Sequence, residues 1–148
     1  MIKTTFKFLR ESSNIVTVLF VAFVFRLFIS NFGTLQLDHG TFVAWGNNLA
    51  SGGLNKFYDS WSDYFPGYLY ILWLLGKINA FVPEAQTILF KLPAIFADMA
   101  TGLIIYKAVS KIKNKNTGLI FSILYLFNPA IFANSSLWGQ ADSLTALF

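Results

Sequence analysis

Residues Ile15–Phe32 read IVTVLFVAFVFRLFISNF, about eighteen residues and enough to cross a bilayer as a helix. One charge, Arg26, sits towards the far end of the run. The preceding segment, Met1–Ser13, is polar and basic, with Lys3, Lys7 and Arg10 against Glu11. A secretory leader has a shorter apolar region and small residues at its cleavage site, and Asn31-Phe32-Gly33 offers no such site. The run is therefore expected to be retained as a first membrane span, over residues 15–32.

Two more runs of this kind lie downstream. Ile88–Val109 is long enough to span and carries Lys91, Pro93 and Asp98. A third span is expected over 118–134, with Asn128-Pro129 near its end, and a fourth apolar helix begins at 143. Residues 33–87 are mixed, with carboxylates, many aromatics and the turn-formers Ser51-Gly52-Gly53 and Pro66-Gly67. Two short helices are expected there, over 39–50 and 67–82. The second is broken by Gly76, Lys77 and Asn79, which is too interrupted for a span and suits a helix lying in the interface. The 148 residues are 55% hydrophobic and 12% charged, against about a quarter charged in soluble domains. The fold class expected is all-α: a polytopic helical membrane protein, forming a single transmembrane module.

The formal charge of +4 does not point to nucleic acid, because the bases cluster at the ends of apolar runs instead of lining a polar face. They read as orientation signals. If the 67–82 helix lies flat, the N-terminal bases and Lys107, Lys111, Lys113 and Lys115 face one side, seven of the 11 Lys+Arg. The positive-inside rule makes that side, and the N-terminus, cytoplasmic. Asp38, Asp59, Asp63, Glu84 and Asp142 then face outwards. With no cysteine, a lone His39 and no Gly-rich phosphate loop, neither a metal nor a cofactor is expected.

Few residues are left to carry chemistry. Asp38 opens a stretch in which Phe42, Trp45 and Leu49 recur at helical spacing. It reads either as a helix N-cap or as a general base held at the bilayer surface, and both roles coexist only if one oxygen stays free. His39 beside it reads as a polar surface residue or a substrate contact. Asp63-Tyr64-Phe65-Pro66-Gly67-Tyr68 reads as an aromatic turn at headgroup level or a substrate contact, through Asp63 and Tyr64. Arg26 and Asp98 are costly in lipid, fall in the outer halves of their spans, and are expected to pair. Lys91 reads as a snorkelling cation or as a point charge for a donor phosphate. Gln140 and Asp142 are candidates for sugar hydroxyls, and Asn134-Ser135-Ser136 fits a glycosylation sequon set close to the membrane.

Taken in order, Asp38, Phe42, Trp45 and Leu49, then Asp63-Tyr64-Phe65-Pro66-Gly67-Tyr68, then Lys91-Leu92-Pro93 with Asp98, then Asn128-Pro129 and Trp138-Gly139-Gln140-Ala141-Asp142-Ser143, resemble the bacterial and archaeal relatives of the GPI-anchor mannosyltransferases. These belong to the GT-C superfamily of membrane glycosyltransferases. The resemblance covers nearly the whole chain. It implies juxtamembrane helices in a first external loop, a polyprenyl-phosphate sugar as donor, and a glycan, lipid or protein acceptor. It also implies transfer of a hexose, mannose foremost, with inversion, Asp38 as the base and a prokaryotic plasma membrane as the setting. It makes the 148 residues the front of a longer enzyme, inactive alone. The alternatives are a small transporter or lipid-binding subunit using Arg26 and Asp98, or an inactive remnant.

Overall fold

The computed structural model describes the backbone of residues 2–59, 64 and 66–147, and the side chains of 14–55, 58, 64 and 66–147. Among these residues every regular element is helical. The order is α1 (Ile2–Ile29), α2 (Gln36–Gly52), a 3-10 turn (Leu54–Asp59), α3 (Pro66–Asn79), a second 3-10 turn (Pro83–Ala85), α4 (Gln86–Ile112), α5 (Lys115–Leu126), α6 (Pro129–Phe132), a π-helical turn (Ala133–Trp138) and α7 (Asp142–Leu147).

The first apolar run leaves the helix earlier than its hydropathy suggests. Ser30 Oγ donates to Arg26 O at 2.7 Å and Asn31 Nδ2 to Leu27 O at 2.9 Å, closing the last turn of α1 with side chains in place of further helix. Helix α2 begins at Gln36, two residues before Asp38, with Leu35 in the capping position and no side-chain cap. Asp38 is thus not an N-cap. Helix α3 stops at Asn79, short of Val82, as the chain turns through Ala80 and Phe81.

Helices α2 and α3 form a hairpin whose interior is Phe42, Trp45, Leu49, Leu69, Leu72 and Leu75, closed by Leu89 and Phe90 at the start of α4. Their backbones touch at two glycines: a Cβ on Gly76 would collide with the Gly46 carbonyl. Asn79 Nδ2 donates to Asn47 Oδ1 at 3.2 Å beside that crossing.

Helix α4 is the central strut. Its buried positions include Lys91, Ala94, Ile95, Asp98 and Gly102, which recur every three or four residues and so share one face. That face receives α1 and α5, and Ser122 Oγ donates to Gly102 O at 2.9 Å across the α4–α5 contact. The run expected as one span over 118–134 is broken. Asn128 lies in extended backbone and accepts from Ala130 N at 2.9 Å, so it ends α5 and caps α6. Pro129 favours the break, because its ring clashes with helical geometry at the residue before it. The two halves meet at 48°.

Among the described residues one helix, Pro83–Ile112, is long and apolar enough to cross a bilayer, and the bent pair Lys115–Leu126 and Pro129–Trp138 makes a second if taken as one span. The apolar part of α1, Asn14–Ile29, is shorter. Large apolar side chains nevertheless stand outwards: Val16, Phe20, Val24 and Phe28 on α1, Tyr70, Leu74 and Ile78 on α3, Phe96 and Ile104 on α4, and Phe121 and Leu124 on α5.

Candidate functional site

The π-helical turn decides where the site lies. Ser135 and Ser136 are buried within it, and the chain leaves through Gly139 at φ 87°, a left-handed conformation that strains any residue bearing a Cβ. Gly139 N and Gln140 N both donate to Asn134 O, at 2.9 and 3.1 Å, which locks the exit. Trp138 and Gln140, on either side of the glycine, are thereby aimed at the first turn of α2.

There both meet Asp38. Trp138 Nε1 donates to Asp38 Oδ2 at 2.7 Å, and Gln140 Nε2 donates to the same oxygen at 2.6 Å. A carboxylate only accepts, so the Gln140 amide orientation is dictated by its partner. Asp38 sits in the first turn of its helix, where the backbone dipole favours negative charge. Both donors converge on Oδ2, and Oδ1 accepts no hydrogen bond from the described residues.

Trp138 and Gln140 also line an open cleft of about 800 Å³. Phe32 and Leu35 give it an apolar side, while Asn134 and Asp142 add polar groups. Asn134 Nδ2 donates to Asp142 Oδ2 at 3.0 Å, and Asn134 Oδ1 is buried without a partner among the described residues. With its amide so engaged and the serines of its sequon buried, Asn134 is not presented as a glycosylation acceptor. Asp38 is half-buried and bonded to two lining residues, without itself forming part of the lining.

Arg26 and Asp98 meet in the interior. Arg26 Nε donates to Asp98 Oδ2 at 3.1 Å, and both side chains are 0% exposed. Ser135 Oγ donates to the same carboxylate oxygen at 2.7 Å, and Arg26 Nη2 donates to Leu126 O at 2.7 Å, at the end of α5. The pair thus ties α1, α4, α5 and the π turn together.

Lys91 neither snorkels nor offers a free cation to a phosphate. It is 0% exposed, and its ammonium donates to Ser30 O at 3.0 Å, Gly33 O at 2.6 Å and Ser136 O at 2.8 Å. Those bonds use all its protons. His39 is likewise no surface residue: it is 5% exposed, stands edge-on to Phe90 with ring centres 6.3 Å apart, and neither ring nitrogen has a partner among the described residues. Burial, and secondarily the Lys91 charge, push its pKa below the usual histidine value.

Tyr64 is half-buried in the aromatic cluster of the hairpin, 5.4 Å from the Phe42 ring and 5.5 Å from Trp45. It does not line the cleft shared by Gln140 and Asp142. Asp63 lies outside the described residues.

Reasoning from sequence missed the bond between Trp138 and Asp38, and it missed the burial of His39 and Lys91. The available signal was Gly139 between an indole and an amide, a pattern that suits a sharp re-aiming of two side chains. Comparisons with protein-family models, with characterised proteins and with solved structures gave no match.

Proposed function

We propose that this chain is part of an inverting membrane glycosyltransferase that moves a hexose, mannose foremost, from a polyprenyl phosphate to an acceptor hydroxyl. The observation that carries the reading is the convergence on Asp38. An indole and an amide from a segment 100 and 102 positions away hold one carboxylate oxygen, leave the other without a hydrogen bond from the described residues, and themselves line a cleft with apolar and polar sides. Such a cleft suits a substrate with a hydrocarbon part and a polyol part. Asn134, Gln140 and Asp142 supply donors and acceptors for sugar hydroxyls, and the Trp138 indole offers an apolar plane.

In this reading Asp38 Oδ1 takes the proton of the acceptor hydroxyl. The hydroxyl oxygen forms a bond to the anomeric carbon as the bond from that carbon to the phosphate oxygen breaks. The lipid phosphate leaves with the electron pair, and attack from the opposite face inverts the centre. The bonds from Trp138 and Gln140 to Oδ2 keep the carboxylate from rotating away.

The membrane setting rests on dimensions as well as composition. Twenty residues separate Lys91, beside the site, from Lys111 in the basic cluster at the far end of α4. At 1.5 Å per residue they span about 30 Å, the thickness of a bilayer's hydrocarbon core. The outward Phe, Leu, Ile and Val side chains of α1, α4 and α5 then face lipid, and the apolar stripe of α3 rests in the interface. The basic cluster is cytoplasmic and Asp38 external. A transport pathway through Arg26 and Asp98 has less support, since both side chains are sealed from solvent and bonded to their surroundings.

The test is transfer from polyprenyl-phosphate mannose and related donors in the full-length enzyme. Asp38→Asn is expected to lower kcat by roughly 100-fold or more while leaving thermal unfolding in detergent nearly unchanged. Full activity in that variant removes the mechanism.

A further inference from the structure

A buried ammonium paired with no carboxylate among the described residues needs an explanation. Lys91 is 0% exposed, and the ion pair described around it, Arg26–Asp98, does not include it. Its partners are main-chain carbonyls from two parts of the chain: Ser30 and Gly33, where α1 gives way to α2, and Ser136, in the π turn. Gly33 stands five residues before Asp38, and Ser136 two residues before Trp138. One cation therefore bridges the segment that delivers the carboxylate and the segment that delivers its two donors.

The stem of the same side chain supports the turn between those donors. A Cβ built on Gly139 would lie 3.5 Å from Lys91 Cγ and Cε and 3.4 Å from His39 Nδ1. Gly139 thus rests on the Lys91 stem and the His39 ring. The ammonium holds the two segments together while the methylenes set the height of the turn carrying Trp138 and Gln140.

We propose that Lys91 is a positioning residue: it fixes the Trp138–Gln140 clamp on Asp38. That Asp38 acts as a base rests on the glycosyltransferase reading; the clamping role does not. A neutral, apolar side chain of the same length would fill the space but leave the Ser30, Gly33 and Ser136 oxygens without their donor, and the segments would part.

The experiment follows the indole N–H directly. The full chain is labelled with ¹⁵N-tryptophan in lipid nanodiscs, and the Trp138 Nε1–H signal is assigned with Trp138→Phe. Asp38→Ala gives the signal's position when the acceptor is gone. Lys91→Met is expected to move the Trp138 signal towards that position while those of Trp45 and Trp73 stay in place. An unmoved Trp138 signal overturns the proposal, and so does an equal movement of all indole signals, which marks general loosening. If Lys91→Met does not fold, Lys91→Arg is used under the same two criteria, since it keeps the charge but offers its donors from a longer planar fork. In the full-length enzyme Lys91→Met is further expected to lower kcat by on the order of 100-fold with KM unchanged, as for a misaimed catalytic group. If the wild type transfers no sugar, the catalytic reading falls and the indole result still decides the clamp.

Discussion

Trp138 and Asp38 stand 100 positions apart and share a 2.7 Å hydrogen bond, with Gln140 donating to the same oxygen at 2.6 Å. Hydrogen bonds to a charged acceptor are the stronger kind. Trp138 is 45% exposed, however, so water competes for its partner. Trp138→Phe and Gln140→Leu are each expected to cost about 1 kcal/mol. Measured by thermal unfolding in detergent, each is expected to be non-additive with Asp38→Ala, which removes both acceptor oxygens. Strict additivity would mean that neither bond persists in solution.

The Arg26–Asp98 pair is sealed on both sides, so removing one partner leaves the other charge stranded. Asp98→Ala is expected to cost about 3–5 kcal/mol. The double variant Arg26→Met with Asp98→Leu should recover much of that loss, since the pair's chief contribution is to cancel its own burial cost. A single-variant loss under about 1 kcal/mol would show that the charges are hydrated and the interface loose.

Where Gly76 crosses Gly46 there is no room for a methyl group. Gly76→Ala is expected to force the hairpin apart at a cost of about 1–3 kcal/mol, read as a lower Tm. The Trp45 fluorescence is expected to change with it, because that indole lies in the interior that the crossing closes.

His39 is the chain's one histidine, and its folded pKa is depressed by burial and by Lys91. The unfolded chain therefore takes up the proton more readily than the folded one. Its contribution to stability is complete above the unfolded value of about 6.5 and declines as the pH falls below it, towards the folded pKa. His39→Leu is expected to flatten that slope in a pH series of melting temperatures. A slope unchanged in the variant would assign the loss to the carboxylates.

Much of this arrangement was legible in the sequence. Opposite charges in apolar runs have few places to go, which is why the meeting of Arg26 and Asp98 could be expected from their depth alone. The break at Asn128-Pro129 was visible as residues but not as a break, because hydropathy runs straight through it while capping and proline sterics do not. Lys91 was the harder case. A lone cation at the edge of an apolar run looks the same whether it reaches out or turns in, and its partners are carbonyls that any residue type supplies. Asp38 was singled out by its place before an aromatic helix. Its donors could not be, since nothing local links position 38 with 138 and 140.

The Arg26–Asp98 distance along the chain, 72 residues, has a consequence for biogenesis. In the membrane setting proposed here, α1 leaves the ribosome with a cation whose neutralising partner has not yet been made. At about 5–20 residues per second the wait is roughly 4–14 s. During that time the first helix has no stable lateral home in lipid and must be sheltered by the insertion machinery until the segment bearing Asp98 arrives. Crosslinks between α1 and that machinery should then persist longer in Asp98→Ala than in the wild type. Release of α1 at the same moment in both would place the pairing after insertion rather than within it.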